Sequence, residues 1–227
     1  MNSVTQNVSL LPLLQLVSPT LPIGAYAYST GLESAVRANW VNDYASARSW
    51  IAELAAHNIC HLDLPILRRL YVAWSNDDLA SVLKWSRILS ASRETAELLA
   101  EDQHMGIALA RLMSDLGVER ARDWKDSFDS NWATLFSLAA CHWNISEDDM
   151  QTGYLWAWCE HQVAVAIKLV PLGQTDGQKI MLDLHDHIPH LVERSRTVCD
   201  AAIGQTSPAL AIGSALHEQQ YSRLFRS

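Results

Sequence analysis

Tyr154–Val170 reads YLWAWCEHQVAVAIKLV, and its apolar residues cover most of a helix circumference rather than a single stripe. That pattern marks a helix buried on nearly every side, not a strand whose faces alternate. The chain on either side of it is read in helical terms. Upstream, Trp132–Trp143 is a second apolar helix, Asn144–Ser146 a turn, and Glu147 and Asp148 suit the first turn that follows. Asp123–Ser130 is polar and loop-like. In Ser92–Leu116, Thr95, Leu98, Leu99, Gln103, Gly106, Leu109 and Leu112 or Met113 fall on one side of a long helix that Gly117 ends. Leu79–Leu89 is a short helix behind the turn Asn76–Asp78. Asp43–Asp63 carries Trp50, Ile51, Leu54, Ala55, Ile59 and Leu62 at helical spacing. Pro65 is expected to end or kink that helix, with Asp63 capping its successor, Leu64–Trp74.

Downstream, Pro171–Gly177 interrupts the buried helix, and Gln178–His187 and Pro189–Ala202 read as two pieces with a restart at Pro189. Gly204–Ser207 opens a small-residue tail. No stretch alternates as a strand would, and there is no internal repeat. The expectation is all-α: a single helical domain of about ten helices over residues 1–227, with no sheet. Residues 1–12 and 204–227 are expected to stay flexible until a partner binds.

Composition narrows the function classes. A net charge of -8 and the absence of a basic stripe argue against nucleic acid. The first 32 residues carry no charged side chain, but they lack the basic start of a signal peptide, and Pro12, Pro19, Pro22 and Gly24 break any membrane span. Cys60, Cys141, Cys159 and Cys199 are scattered without a C-x-x-C pair, as core thiols of a reducing compartment would be. A soluble cytoplasmic protein is the expectation.

Candidate chemistry is sparse. His57 and His61 are four apart on a helix, and Asp183, His185, Asp186, His187 and His190 form a second cluster. Either could contribute to a metal site, yet neither matches H-E-x-x-H, and solvated or half-buried helix faces account for both. Gly173–Lys179 has the wrong glycine spacing for a phosphate loop and follows a helix instead of a strand. The acid pairs Asp77-Asp78 and Asp148-Asp149 sit where capping explains them. No nucleophile comes with a base, so the chain does not read as an enzyme. Trp132, Trp143, Trp156 and Trp158 could line an aromatic-ligand site, but nine tryptophans in 227 residues read first as core. Lys168 ends the most apolar run; it either snorkels to water or pairs with a carboxylate.

Three stretches stand apart. In Ser18–Glu33, SPTLPIGAYAYSTGLE, two prolines and Gly24 dictate a rigid irregular loop carrying Tyr26 and Tyr28. Ser29 is placed to cap the next helix, with Glu33 in its first turn. The second is KLVPLGQTDGQ at Lys168–Gln178. The third, HEQQYSRLFRS at His217–Ser227, mixes Tyr221, Arg223, Leu224, Phe225 and Arg226, the composition of a binding anchor.

In order and spacing these three stretches resemble the urease accessory protein UreF family, along essentially the whole chain. The family's usual first motif is close to SP-x-LP-x-G-x-x-x-YS-x-GLE; Ala25-Tyr26-Ala27 departs from its more frequent Gly-Phe-Ser. The resemblance implies an all-α homodimer with no catalysis and no cofactor of its own. It implies a scaffold that binds UreD (also called UreH) and recruits the nickel-carrying GTPase UreG, so that nickel enters the urease apoprotein. By motif, the residues implied to face partners are Tyr28, Ser29, Glu33, Lys168, Pro171, Gly173, Gln174, Tyr221, Arg223 and Arg226, and none is implied to be catalytic. The first two stretches are assigned chiefly to the GTPase and the tail chiefly to UreD, with Glu33 and Lys168 as opposite charges suited to gating a charged switch region. The alternative function is a nickel carrier using His57/His61 or the His185–His190 cluster.

Overall fold

Helix α8 is longer than its apolar stretch. In the computed structural model, which describes residues 9–227, it runs Glu147–Leu169. Ser146 caps it by accepting from the Asp149 amide, and Glu147, Asp148 and Asp149 sit against the positive end of its dipole. Tyr154, Leu155, Cys159, Val163, Val165 and Ala166 along it are buried. The other helices are α1 (Leu10–Leu16), α2 (Leu32–Arg37), α3 (Tyr44–Leu54), α4 (Leu64–Ser75), α5 (Leu79–Ala91), α6 (Ala96–Asp115), α7 (Trp132–His142), α9 (Gln174–Arg196) and α10 (Pro208–Glu218). There is no strand among the described residues, and no helix there is long and apolar enough to cross a membrane. The fold is all-α.

Packing follows the apolar pattern. Every residue of α7 from Trp132 to Ala140 is buried, and the helix lies between α4 and α6. Trp132 stacks on Tyr154 at 4.2 Å, and Phe136 meets the same ring edge-on at 5.2 Å. Trp132 and Trp158 are therefore core residues, while Trp143 and Trp156 are half-buried against it. Local capping is as the residues dictate: Asp78 accepts from the Ser81 amide, Thr95 from Leu98, and Gly117 takes φ +88° past the end of α6.

Two expectations are corrected. Asp63 caps no helix: α3 continues through a π-helical segment, Ala55–Asp63, directly into α4. The register shift accommodates Pro65, which has no N–H to give the ladder, and Asp63 turns inward to Arg93. Pro189 starts no new helix; α9 runs through it unbroken. The proline lies on the exposed side, while Ile180, Met181, Leu184, Ile188 and Val192 anchor the other face at helical spacing. Residues 204–227 lie against the rest of the chain. Helix α10 packs on α2 and α6, and the segment beyond it folds back on the Ser18–Glu33 loop. Of the amino-terminal stretch read as flexible, residues 1–8 lie outside the described residues, and α1 begins at Leu10.

Candidate functional site

The three stretches that stand apart in the sequence come together at one place. The loop enters it through Gly24 (φ +77°), a short 3-10 turn at Ala25–Ala27, and then Tyr28 and Ser29, both buried. Backbone bonds dock the last segment on it: the Arg226 amide donates to Ala27 O at 2.7 Å, and the Ser29 amide donates to Ser227 O at 2.9 Å. The Ser29 hydroxyl also donates to Ser227 O. The same hydroxyl accepts from the Glu33 amide at 3.3 Å, so Ser29 supports the start of α2 although Gly31 holds the cap position.

Glu33 is not displayed to solvent as an open charge. Its two oxygens accept the amides of Leu224 and Phe225, each at 2.8 Å, and His217 Nε2 lies 3.4 Å from one of them. His217 is fully buried, with Nδ1 2.7 Å from Glu97 Oε2, and Arg223 reaches the other Glu97 oxygen at 2.6 Å. A carboxylate accepting two amides makes charge-assisted bonds about twice as strong as neutral ones. Glu33 therefore acts as a clamp on the last segment.

Lys168 neither floats free nor finds a carboxylate. It is exposed, and its Nζ sits 5.7 Å from the ring centroids of both Tyr26 and Phe225, inside the distance at which a ring face attracts a cation. No carboxylate oxygen among the described residues comes within ion-pair distance of it. Thus the three stretches meet through one cation resting on two rings, one ring from the loop and one from the last segment. Phe225 is buried and Tyr26 exposed. Tyr26 also meets His161 edge-on at 5.8 Å, and burial holds that imidazole neutral, its pKa down to about 4. Tyr28 donates to or accepts from His104 at 2.7 Å; burial raises its phenol above the usual range against the opposing charge of Arg226.

Of the remaining candidates, Tyr221 is fully exposed, and Arg226 shows its side chain to solvent. Pro171, Gly173 and Gln174 lie exposed on the α8–α9 turn, where the Gly173 amide donates to Asp176. They share the face with Lys168 only through the chain, and no hydrogen bond ties them to the loop or the last segment. The structure also adds residues that the sequence did not single out: Thr30, Glu97, Glu101, Gln162 and His217. Thr30 and His217 fall inside the distinctive stretches, which is a signal of a kind. Glu97 and Glu101 read as ordinary helix-surface acids, and nothing local announces them.

The histidine clusters are not assembled. His57 pairs with Glu53 at 3.1 Å and stacks on His61, while His185 stacks on Trp156 at 5.0 Å and Asp183 is taken by Arg48 at 2.6 Å. Among the described residues no group of three His, Cys, Asp or Glu side chains is arranged to hold a metal ion.

Comparison with known proteins places the sequence. The UreF family model matches residues 41–185. A urease accessory protein UreF of Alkalilimnicola ehrlichii is 47% identical over 95% of this chain and 94% of its own. Its counterpart in Teredinibacter turnerae is 45% identical over 97% of this chain and 100% of its own. Urease accessory protein UreF 2 of Brucella anthropi is 46% identical over 96% of both.

Proposed function

The chain belongs to the UreF family of urease accessory proteins, with a role in urease maturation, and from that premise we propose that it is a non-catalytic scaffold. In this reading it binds UreD and recruits the nickel-carrying GTPase UreG, works as a homodimer in the cytoplasm, and handles nickel only as cargo of the complex. The observation that supports it is the seat of Lys168 on Tyr26 and Phe225. An exposed cation seated on two aromatic rings is a specificity element for an acidic partner surface. In the last segment Tyr221 and Leu224 are exposed, and tyrosine is among the residues that anchor interfaces.

The face refines how the work divides. Lys168 and Tyr26 look outward and are assigned to the GTPase; Tyr221, Arg223, Leu224 and Arg226 are assigned to UreD. Glu33 serves both, since it sets the last segment in place. Co-purification with UreD and UreG tests this. Lys168→Ala is expected to lower UreG capture about tenfold while UreD is retained, the loss of one well-placed charge at an interface. Removing Tyr221–Ser227 is expected to abolish UreD capture. The scaffold reading fails if the intact chain captures neither partner, and the division fails if Lys168→Ala leaves UreG capture unchanged.

A further inference from the structure

Glu101 stands on α6, outside all three distinctive stretches, yet it touches two of them. Its side chain is buried. Thr30 Oγ1 donates to Oε1 at 2.8 Å, and Ser227 Oγ donates to Oε2 at 2.6 Å. Thr30 in turn accepts from Gln162 Nε2 at 3.0 Å, which ties the pair to α8 ahead of Lys168. The last segment is thus held at two points. Glu33 takes the amides of Leu224 and Phe225, and Glu101 takes Ser227 two residues further on. Phe225, whose ring lies under Lys168, sits between these clamps. Two cavities of about 40 and 50 Å³ border Glu101.

We infer that Glu101 is a positioning residue of the partner face, joining loop to last segment from beneath so that Tyr26 and Phe225 form a fixed seat for Lys168. Its loss releases the last segment while the helical core stays folded. The inference rests on the scaffold reading only for its binding readout; its conformational readout is independent of it.

Charge surrounds the site on several sides. Arg93 and Asp102 lie beside Glu101, Asp63 behind Arg93, and Tyr28 faces it from the loop. Glu160 and His161 of α8 share the larger cavity. Burial pushes the Glu101 carboxyl up to about 7, against the hydrogen bonds from Ser227 and Thr30. The docked form therefore holds a proton that a solvated carboxyl gives up near 4.5. Between those values, rising pH favours release of the segment, and above about 7 the dependence ends.

Hydrogen exchange on the full chain is the test, read at the amides of Ser29, Leu224, Phe225 and Arg226 and, as reference, within α7 and α8. Glu101→Leu is expected to speed exchange at the first group about tenfold with the reference unchanged, and to lower UreG capture in parallel. Glu101→Gln, which keeps the shape and a hydrogen-bonding carbonyl, is expected to restore both to within about threefold and to flatten the dependence on pH between 5 and 7. Should Glu101→Leu fail to fold, Thr30→Val and Ser227→Ala each remove one hydroxyl and are expected to give the same local release. Unchanged exchange at Ser29 and Arg226 in Glu101→Leu, or in both single-hydroxyl variants, overturns the clamp. Faster exchange with undiminished capture keeps the clamp but overturns its role at the face. If the wild-type chain captures no partner, it is the scaffold reading that fails, and exchange alone decides the clamp.

Discussion

Arg93→Ala is expected to cost about 3–5 kcal/mol of folding stability, as removal of one member of a buried ion cluster does. Arg93 forks to Asp63 at 2.7 and 3.2 Å and reaches Asp102 through Nε at 3.0 Å. Side-chain exposure is 15% for Arg93, 2% for Asp63 and 5% for Asp102, so none of the three is solvated well enough to stand alone. Burial opposes the guanidinium charge, but Asp102 and Asp63 more than offset it and hold its pKa well above the ordinary value. Asp102 itself is held above the usual carboxylate range, because its desolvation outweighs the pull of Arg93. Tyr154 adds a hydroxyl to Asp63 at 3.1 Å. With the guanidinium gone, two buried carboxylates face each other unpaired. Urea denaturation should show the midpoint fall at constant slope, and the melting temperature should drop by about 2–4 °C for each kcal/mol. Arg93→Lys keeps the charge but not the fork, and is expected to recover only part of the loss. Converting Asp63 to Asn in the Arg93→Ala background removes one stranded charge and should recover stability; no recovery would mean that the cost is lost packing rather than stranded charge.

That cluster also shows where the sequence stops being informative. Asp63 before a proline has two local readings, helix cap and buried acid, and only the position of Arg93, thirty residues away, decides between them. Local features were legible because their causes are local. The wide apolar circumference of α8, the cap at Asp78 and the left-handed Gly117 each depend on a few neighbouring side chains, whereas Thr95, read as part of the α6 face, caps that helix instead. Pro189 misleads for the opposite reason: its local penalty is real, but the anchoring of Ile188 and Val192 outweighs it. At the site, the motifs were legible and their geometry was not. Glu33 and Lys168 read as an open pair of opposite charges, whereas one grips backbone amides and the other rests on rings. Glu101 carries no sequence signal, since its partners lie 71 and 126 residues away.

Gly106→Ala should be nearly as damaging, against the trend for its residue type. In an exposed helix interior, alanine gains about 1 kcal/mol over glycine. At Gly106 a Cβ would lie 2.0 Å from Ser130 O and 2.5 Å from Asn131 C, distances no backbone tolerates. The Ser130–Asn131 link cannot simply retreat, because it is tied on several sides. The Ser130 hydroxyl donates to Trp124 O, Asn131 Nδ2 donates to Ser86 O at 2.7 Å, and the Trp132 amide donates to Asp102 Oδ1 at 2.9 Å. Asp102 and Gly106 stand one turn apart on α6, so the helix offers a carboxylate and a bare backbone side by side to receive the start of α7. Methyl insertion must either push α6 away or break those bonds, and about 3 kcal/mol or more is expected against the helix-propensity gain. Because α6 also carries Glu97 and Glu101, a displaced helix loosens both its grips on the last segment. The urea midpoint should fall, and amides at Leu224–Arg226 should exchange faster at denaturant concentrations where α8 is still protected. A Gly106→Ala chain as stable as the wild type would show that α6 does not approach the 130–131 link this closely, and the placement of Glu101 beneath the partner face would fall with it.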